Sequence, residues 1–310
     1  MLKVQSKNIR RVLDSRNIHV ARTIEEVRRF RSNLGLSKLG FVPTMGALHK
    51  GHISLVLKAK QHSDVVASSI FVNPTQFSAG EDLDKYPRSF DSDLELLKSA
   101  GVDFVFAPKL EEIYGRKPLC HVEPADFSHI SEGIARPDFF RGVATIVCKL
   151  FNIVTPSTSY FGQKDISQCI LVKQMVEDLN MPVDIVICET LRHDDGLAMS
   201  SRNTYLSPAE RAVANVLYRA LSAARTKFNG SPSGGVTREE LLASVMKILE
   251  SESMVSRVEY VSIASHFDMK ELNCTDPING AVISSAIRVG SVRLIDNVLI
   301  GSAEKDILGH

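Results

Sequence analysis

The chain has 310 residues, of which 44% are hydrophobic and 24% are charged, a composition typical of globular proteins. Its 37 Lys and Arg balance 36 Asp and Glu to a formal net charge of +1, which gives no bulk electrostatic reason to bind nucleic acid and excludes a disordered charged tail. No apolar run approaches the roughly 20 residues of a membrane helix. The length suits one large domain or two domains of about 150 residues each.

Basic charge is concentrated at the start of the chain. Residues 1–20 carry five basic side chains against one acidic side chain, a local charge of +4. An Arg-rich, acid-poor start is typical of a transit peptide, and a solvated lead-in is the other interpretation. The lack of an apolar core of about 7–15 residues argues against a secretory signal. The residues concerned are Lys3, Lys7, Arg10, Arg11, Arg16 and the acidic Asp14.

The cysteines predict an intracellular compartment. No two of them form a Cys-x-x-Cys motif, and Cys148 and Cys169 fall within apolar helical patterns. An odd number without paired spacing predicts reduced, mostly structural thiols, and hence a cytoplasmic protein. The other three are Cys120, Cys188 and Cys274.

From about residue 20 to 190, short apolar runs alternate with amphipathic segments. This order predicts a parallel sheet with crossover helices, a Rossmann-like α/β architecture. The nearly continuous apolar strands suit a sheet that helices cover on both faces. The predicted strands are 39–42, 65–72, 102–106 and 183–188. The predicted helices are 51–62, 91–100, 142–154 and 164–179.

After Leu191 the order of elements changes, because two helices are followed by three strands. This order predicts a smaller α+β domain over 191–310, after a Rossmann-like domain over 1–190. The Gly- and Ser-rich segment 229–235 predicts an exposed loop between the two helices. The predicted helices are 208–228 and 237–251, and the predicted strands are 257–264, 281–289 and 292–299.

A pair of histidines lies in the segment 43–52, which follows a predicted strand and opens a helix. A doubly wound sheet presents backbone N–H groups and a positive helix end to a phosphate at this point. Gly46 and Gly51 lack a Cβ and allow close approach of a ligand. His49 and His52 share a helical face, from which both imidazoles could donate to phosphate oxygens. A metal pair is the other interpretation, but no third ligand is near in the sequence.

Three further polar clusters follow strands or begin helices. Because ligands of open α/β sheets bind outside the carboxyl ends of the strands, four clusters at one predicted sheet edge favour a binding site. Lys164 and Arg202 offer a point charge and a bidentate fork, and two serine hydroxyls accompany them, which suits a triphosphate. The clusters are 73–76, 161–168 and 192–203, and the serines are Ser200 and Ser201.

Four aspartates after the second predicted strand are candidates to hold Mg²⁺ bridged to phosphates. Asp91 and Asp93 are the preferred candidates for metal ligands, and they also lie in the first turn of a predicted helix. Acidic side chains there offset the helix dipole, so both interpretations stay open. The other two are Asp82 and Asp84.

Six stretches of the sequence resemble the pantothenate synthetase (pantoate–β-alanine ligase) family. They occur in order, at the family's spacing, and span most of the chain. The His-x-Gly-His element alone is shared by the wider nucleotidyltransferase superfamily, and the segment 199–202 is similar to that superfamily's second, phosphate-binding signature. The stretches are PTMGALHKGH (43–52), SIFVNPTQF (69–77), RGVATIVCKLFNIV (141–154), FGQKD (161–165), DGLAMSSRN (195–203) and RLIDN (293–297).

The resemblance implies an ATP- and Mg²⁺-dependent ligase, usually a homodimer, with a C-terminal lid domain and neither a nucleic-acid nor a membrane partner. Pantoate's carboxylate attacks the ATP α-phosphate, which gives pantoyl adenylate and pyrophosphate, and the amine of β-alanine then displaces AMP. A carboxylate of pKa about 4 needs no general base at pH 7, only neutralisation of phosphate charge. The amine, of pKa near 10, must lose a proton, and no residue is an obvious base.

The resemblance also implies residue roles. His52 is similar to the family's catalytic histidine, and His49, Lys164 and Arg202 join it in neutralising charge. Gln76 and Gln168 resemble the pantoate contacts, whose neutral amides suit hydroxyl groups. Asn73 and Arg136 are further candidates for binding substrate. The residues implied to bind ATP are Met45, Gly46, His49, Gly51, His52, Gly162, Gln163, Lys164, Asp165, Leu191, Met199, Ser200, Ser201 and Arg202.

The chain departs from the family pattern at a few positions. Phe139 stands where a histidine is usual in the sequence that follows Arg136, and Gln163 stands where a glutamate is usual. Ile166 and Ser167 also differ, whereas Gln168 is retained. These departures change the surroundings of the site more than the residues implied to carry the reaction.

Two other functions stay open. A different nucleotidyltransferase would act on a phosphorylated acceptor and would not need the pair Gln76 and Gln168. A non-catalytic nucleotide-binding module would bind ATP even after His52→Ala.

Overall fold

A computed structural model describes residues 18–78, 80–115, 118–231 and 235–309. The prediction of a transit peptide or lead-in falls mainly on residues 1–17, outside the described residues, as does the centre of the loop predicted at 229–235. Contacts divide the chain into two units. The sheet unit holds the described residues up to Glu123, with Arg141–Phe161 and Met175–Cys188. The C-terminal unit holds Pro124–Phe140, Gly162–Gln174 and the residues from Glu189 onward.

Contacts rather than chain order define these units. The sequence predicts a single crossing between domains near residue 190. The structure groups two earlier segments, Pro124–Phe140 and Gly162–Gln174, with the C-terminal residues. Chain order alone does not reveal such excursions, because each is short and keeps the helical or turn character of its neighbours.

The elements can be given in chain order. The strands are β1 (His19–Ala21), β2 (Leu39–Thr44), β3 (Val65–Ile70), β4 (Phe104–Phe106), β5 (Thr158–Gly162), β6 (Asp184–Cys188), β7 (Val236–Thr237), β8 (Val255–Ala264), β9 (Cys274–Thr275), β10 (Ala281–Val289) and β11 (Val292–Ile300). The α-helices are α1 (Ile24–Asn33), α2 (Lys50–His62), α3 (Phe90–Ser99), α4 (Leu110–Tyr114), α5 (Ser131–Ala135), α6 (Phe139–Val154), α7 (Ile166–Asp178), α8 (Pro208–Val213), α9 (Val216–Asn229), α10 (Arg238–Leu249) and α11 (Ala303–Leu308). Short 3₁₀ helices cover Pro74–Gln76, Gln163–Asp165 and Ser201–Tyr205.

Most predicted elements are confirmed to within a few residues, although the helix predicted over 208–228 is two helices, α8 and α9. Among the described residues, no helix combines the length and the apolar character that crossing a membrane requires.

The sheet unit is built on six strands in the order β1-β4-β3-β2-β5-β6. The pairs β1–β4, β4–β3, β3–β2 and β2–β5 are parallel, as the alternation of strands and helices predicts. Helices α2 and α3 pack on this sheet through a buried apolar cluster that includes Val42, Val56 and Leu97. The Rossmann-like α/β prediction is confirmed. Strand β2 ends at Thr44, within the segment 43–52 that carries His49 and His52.

Strand β2 continues through Pro43, where the sequence predicted its end. Proline cannot donate a ladder hydrogen bond, so it is usually excluded from central strands. Here β5 pairs with β2 only at Gly40 and Phe41, so the missing N–H of Pro43 breaks no bond to that neighbour. Pro43 pairs with Ser69 on the other side.

Strand β5 was missed because it begins with Thr-Ser rather than with an apolar run. Ser159 is fully buried in this strand, and its hydroxyl donates to the backbone oxygen of Phe41 at 3.2 Å. A buried hydroxyl with a partner is tolerated in a core, so polarity did not indicate exposure.

The C-terminal unit contains an antiparallel sheet in the order β11-β10-β8. Its side chains alternate between two faces. One face carries Ile283, Leu294 and Val298, which join a buried apolar cluster with α9 and α10. The opposite face carries Tyr260, Ser284, Ile295 and Asn297, which line a pocket. The predicted α+β character of this part of the chain is confirmed.

Candidate active site

The turn after β2 has an unusual backbone. Gly46 and Ala47 adopt positive φ angles of 83° and 52°. This region costs an L residue about 1 kcal/mol or more. A Cβ on Gly46 would also stand 3.0 Å from a carboxylate oxygen of Asp93. Glycine at position 46 therefore meets both a conformational and a spatial requirement, and it allows Met45 to be followed by a tight turn.

A buried carboxylate holds this turn. Asp93 on α3 is 1% exposed, and its two oxygens accept the N–H groups of Ala47 and Leu48, each at 2.8 Å. The hydroxyl of Ser89 donates to the same carboxylate at 3.2 Å. Hydrogen bonds to a charged acceptor are roughly twice as strong as neutral ones. Asp93 thus stabilises the turn that precedes His49.

This contact bears on the magnesium prediction. Both oxygens of Asp93 accept backbone N–H groups, whereas Asp91 is exposed at the start of the same helix. Within the described ranges, no group of three His, Cys, Asp or Glu side chains is placed to hold a metal ion. The geometry gives Asp93 a role in holding the turn, and Mg²⁺ binding by Asp91 stays a prediction.

His49 and His52 cap the start of α2 reciprocally. His49 Nδ1 accepts the N–H of Gly51 at 3.2 Å, and His52 Nδ1 accepts the N–H of His49 at 3.2 Å. This is the arrangement of a capping box, with two imidazoles in place of the usual hydroxyl and carboxylate. The centroids of the two rings are 4.0 Å apart. The two rings lie together, as predicted, but through these capping contacts, because His49 precedes the first residue of α2 and does not lie on a helical face.

The capping bonds assign the tautomer of each ring. A ring nitrogen that accepts a hydrogen bond carries no proton, so each neutral imidazole carries its proton on Nε2. Both histidines are thereby arranged as Nε2–H donors, the form that suits a phosphate oxygen.

We expect ¹⁵N NMR of the folded protein near pH 8 to show this directly. His49 and His52 should each give an unprotonated Nδ1 and a protonated Nε2, because the backbone N–H groups exclude the other tautomer. The exposed His62 at the far end of α2 should show an average of both tautomers. A proton found on Nδ1 of either capping histidine would contradict the assignment.

Asn73 is placed to orient Gln76. Asn73 is 1% exposed, and its Oδ1 accepts the hydroxyl of Tyr114 at 3.0 Å. Its Nδ2 donates to Gln76 Oε1 at 3.0 Å and to the backbone oxygen of Gly142 at 3.2 Å. Burial raises the pKa of Tyr114, which keeps its hydroxyl a donor. The amide of Asn73 is therefore occupied by protein groups, which favours a positioning role over the predicted contact with substrate.

Gly142 allows α6 to approach the same segment. A Cβ at this position would overlap the backbone oxygen of Thr75. We expect Gly142→Ala to lower the free energy of unfolding by about 3 kcal/mol, since the obstacle is backbone that must shift. Urea denaturation without ligands measures this. Gly162→Ala is the matched control, because a Cβ there meets nothing within 4 Å. Equal stability of the two variants would contradict the prediction.

Several of the predicted site residues line one pocket in the C-terminal unit. Lys164 and Gln168 lie there with Arg136, Asp165 and Asn297. Lys164 Nζ lies 3.5 Å from Asp165 Oδ1, and its side chain is 19% exposed. Three of the positions that depart from the family, Phe139, Ile166 and Ser167, line this same pocket. Gln163 is 8% exposed, and its Nε2 donates to Asn297 Oδ1 at 3.0 Å.

Arg136 is held on two sides. Its guanidinium carbon lies 3.7 Å from the centroid of the Phe139 ring, and its Nη1 lies 3.7 Å from Glu132 Oε1. A guanidinium on an aromatic face gains about 0.5–2 kcal/mol. Phe139, which replaces the usual histidine, thus supports Arg136 through its ring face.

The segment 189–203 forms a hairpin that ends in a short helix. The N–H of Met199 donates to the backbone oxygen of Leu191 at 3.0 Å, so these two predicted ATP contacts are neighbours. Ser200 caps the 3₁₀ helix Ser201–Tyr205 by accepting the N–H of Arg202 at 3.3 Å. The predicted Ser200, Ser201 and Arg202 therefore lie at one helix start, where N–H groups favour an anion.

Sequence reasoning missed the side chains that hold these segments. Asp93 was considered only as a metal ligand or a dipole partner, and Glu132 was not considered. Asp296 and Asn297 belong to the stretch RLIDN but received no role. Their polarity within an apolar strand was the available signal, because a buried polar side chain needs a partner.

The parallel sheet, the turn after β2 and the small antiparallel sheet define a two-unit α/β protein of the Rossmann-like class. A model of the family described as pantoate–β-alanine ligase matches residues 19–299. The chain belongs to the pantoate–β-alanine ligase family.

Relatives agree with this assignment. The pantothenate synthetase of Chloroflexus aggregans is 50% identical over 283 residues, which cover 91% of this chain and 100% of the relative. The crystal structure of pantothenate synthetase from Thermus thermophilus is 41% identical with a TM-score of 0.83, and the match covers 92% of this chain and 100% of that one. A pantoate–β-alanine ligase from Francisella tularensis, crystallised with β-γ ATP and β-alanine, is 37% identical with a TM-score of 0.74, over 91% of this chain and 97% of that one.

Proposed function

We propose that this chain synthesises pantothenate from pantoate and β-alanine with ATP, through a pantoyl adenylate that the amine of β-alanine then cleaves. The observation that carries the proposal is the reciprocal capping of His49 and His52, which presents two neutral Nε2–H donors at the carboxyl end of a strand. The family of the chain and the ATP and β-alanine in the Francisella relative support it.

The first step needs charge neutralisation rather than a base. Pantoate is already ionised at pH 7, so the barrier lies in bringing its carboxylate to the α-phosphate and in releasing pyrophosphate. In the proposal, His49 and His52 donate to phosphate oxygens, Lys164 contributes a full charge, and Arg202 contributes a bidentate fork. Ser200 and Ser201 add hydroxyl donors.

Pantoate and β-alanine take neutral partners in this proposal. Gln76 and Gln168 bind pantoate, since amides satisfy hydroxyls without overcompensating the nucleophilic carboxylate. Asn73 acts through its hydrogen bond to Gln76 Oε1. Arg136 contributes an anion-binding guanidinium to the pocket of the C-terminal unit.

Magnesium enters as part of the substrate MgATP. Mg²⁺ is usually bound by phosphate oxygens and waters with one or two carboxylates, so a three-residue cage is not required. Asp91 fits the role of a carboxylate ligand because it is exposed. Asp93 fits poorly, because its oxygens already accept the N–H groups of the turn.

The test is product formation by the purified protein. With ATP, Mg²⁺ and pantoate alone, we expect pyrophosphate and bound adenylate, whereas AMP release should require β-alanine as well. Turnover only with a phosphorylated acceptor would favour a different nucleotidyltransferase. ATP binding without turnover would favour a non-catalytic module.

We also propose a homodimer in the cytoplasm, as the family resemblance and the reduced cysteines suggest. All five thiols are free of disulfide bonds in the structure. Sedimentation velocity and fluorescence localisation of the full chain test the two statements.

A further inference from the structure

Strand β11 carries the stretch RLIDN (293–297), none of whose residues binds ATP or substrate in the proposed function. The strand alternates, so that Leu294 and Val298 enter the apolar cluster while Ile295 and Asn297 face the pocket. The polar side chains of Arg293, Asp296 and Asn297 nevertheless have hydrogen-bond partners outside the strand. For each of the three, one partner lies in a different segment that bears predicted site residues.

Asn297 holds the segment of Lys164. Asn297 is 1% exposed, and its Nδ2 donates to the backbone oxygens of Gln163 at 2.8 Å and Lys164 at 3.0 Å. Its Oδ1 accepts from Gln163 Nε2 at 3.0 Å. One buried amide thus makes three hydrogen bonds to two consecutive residues, which fixes the backbone from which the Lys164 side chain extends.

Asp296 holds the hairpin that precedes Arg202. Asp296 is 3% exposed and accepts a bidentate pair from Arg192 at 2.5 and 2.9 Å. The guanidinium of Arg192 also lies 3.8 Å from the centroid of the Tyr218 ring. Arg192 is bridged to Ala198 across the hairpin, so the ion pair fixes the strand that leads to the Ser200–Arg202 helix start.

Arg293 holds the segment of Arg136. Its Nη1 and Nη2 donate to the two carboxylate oxygens of Glu132 at 3.0 and 2.7 Å, and its Nε donates to Glu259 at 2.7 Å. Burial alone would lower the pKa of Arg293, but the two carboxylates outweigh it and raise that pKa. Glu132 is also an ion-pair partner of Arg136, so it links the strand to the pocket.

We propose that the polar residues of β11 are a positioning element for the reaction, and that Asn297 in particular positions Lys164. This inference rests on the proposed function, because it assigns Lys164 to the phosphates of ATP. A strand paired along its length in a packed sheet, as β11 is with β10, is more rigid than a turn. A misplacement of about 1 Å in a charge-neutralising group can lower a rate about 10²-fold. The strand supplies the rigidity that the Gln163–Asp165 turn lacks by itself.

A double-mutant cycle with Lys164 tests the proposal. Asn297→Ala and the isosteric Asn297→Asp both remove the two donors to the Gln163 and Lys164 carbonyls. Each should lower kcat/KM for MgATP by about 10-fold or more. In a Lys164→Ala background the same changes should cost less than about 3-fold, since their effect is transmitted through the lysine.

Thr275→Val is the matched control. Thr275 is 1% exposed in the same unit, and its hydroxyl donates to the backbone oxygen of Val236 at 3.0 Å, away from the pocket. It should lower the melting temperature while leaving kcat/KM within about 2-fold. If Asn297→Ala does not fold, the isosteric Asp variant carries the cycle.

The outcomes separate the two proposals. Equal losses in both backgrounds, or near-wild-type kcat/KM for the Asn297 variants, would overturn the positioning role. The same cycle on the Kd for MgATP, measured by calorimetry, needs no turnover. Unsubstituted protein that binds ATP but makes no pantothenate would overturn the proposed function while the cycle on Kd still tests Asn297.

Discussion

His52→Ala is expected to lower the rate of pantoyl adenylate formation about 10²-fold or more. The change removes an Nε2–H donor that the proposal directs at a phosphate oxygen, and the loss of one such fixed donor usually costs about 2.7–4 kcal/mol of transition-state stabilisation. It also removes the Nδ1 that accepts the N–H of His49. Single-turnover release of pyrophosphate from ATP and pantoate measures the effect.

Two amide replacements separate these losses. Asparagine at position 52 places an acceptor near the former Nδ1, so His52→Asn should retain stability and lose activity. Glutamine places an amide donor near the former Nε2, so His52→Gln should retain more activity and less stability. His62→Ala, in the last turn of the same helix, is the control that should change neither. A His52→Ala rate within about 3-fold of wild type would remove this histidine from the mechanism.

Asp93→Asn is expected to impair both stability and adenylation. The carboxylate accepts the N–H groups of Ala47 and Leu48, and an amide can offer only one acceptor oxygen to the pair. A buried donor left without a partner costs about 1–3 kcal/mol. The turn would then relax from its positive φ angles and displace His49 and His52. Thermal unfolding and single-turnover adenylation should fall together, the latter by about 10²-fold.

Asp91→Asn distinguishes this role from magnesium binding. Asp91 is exposed, so its replacement should leave the melting temperature unchanged and raise the Mg²⁺ concentration required for half-maximal activity. Excess Mg²⁺ should rescue Asp91→Asn but not Asp93→Asn. A rescue of Asp93→Asn by Mg²⁺, without any loss of stability, would return Asp93 to the metal.

Local patterns predicted much of the fold. The apolar runs near β2, β3 and β6 and the amphipathic segments of α2 and α3 were found because period and apolar content report burial directly. The strand β5 was missed because its buried serine is satisfied by the backbone of Phe41. The sequence predicted that strand β2 ends at Pro43, but the strand continues through this residue. It can do so because β5 pairs with β2 only at Gly40 and Phe41, before the proline. Pairing partners are a property of the assembled sheet.

Some features of the candidate site could likewise be predicted from the sequence, and others could not. His49 and His52 could be paired from their spacing, on the expectation of a shared helical face. In the structure His49 caps α2 instead of lying within it, and the capping contacts bring the rings together. The tautomers of the two rings could not be predicted, because those depend on hydrogen bonds to backbone at the helix start. Asp93 lies 46 residues from Ala47, and Asn297 lies 133 residues from Lys164. Hydrogen bonds between residues so far apart in the sequence leave no local sequence pattern from which they could be predicted.

By itself, the alternation of strands and helices determined the α/β class. The motifs determined the family resemblance and the reaction that it implies, and the charge balance gave no reason to expect a nucleic-acid partner. The motifs could do so because catalytic side chains lie in short segments whose residue types suit their chemistry. The tertiary structure decided which buried side chains hold those segments: Asp93 for the histidine turn, and Asn297 for Lys164. Such residues satisfy backbone groups from distant parts of the chain, so only the folded arrangement determines what they contact.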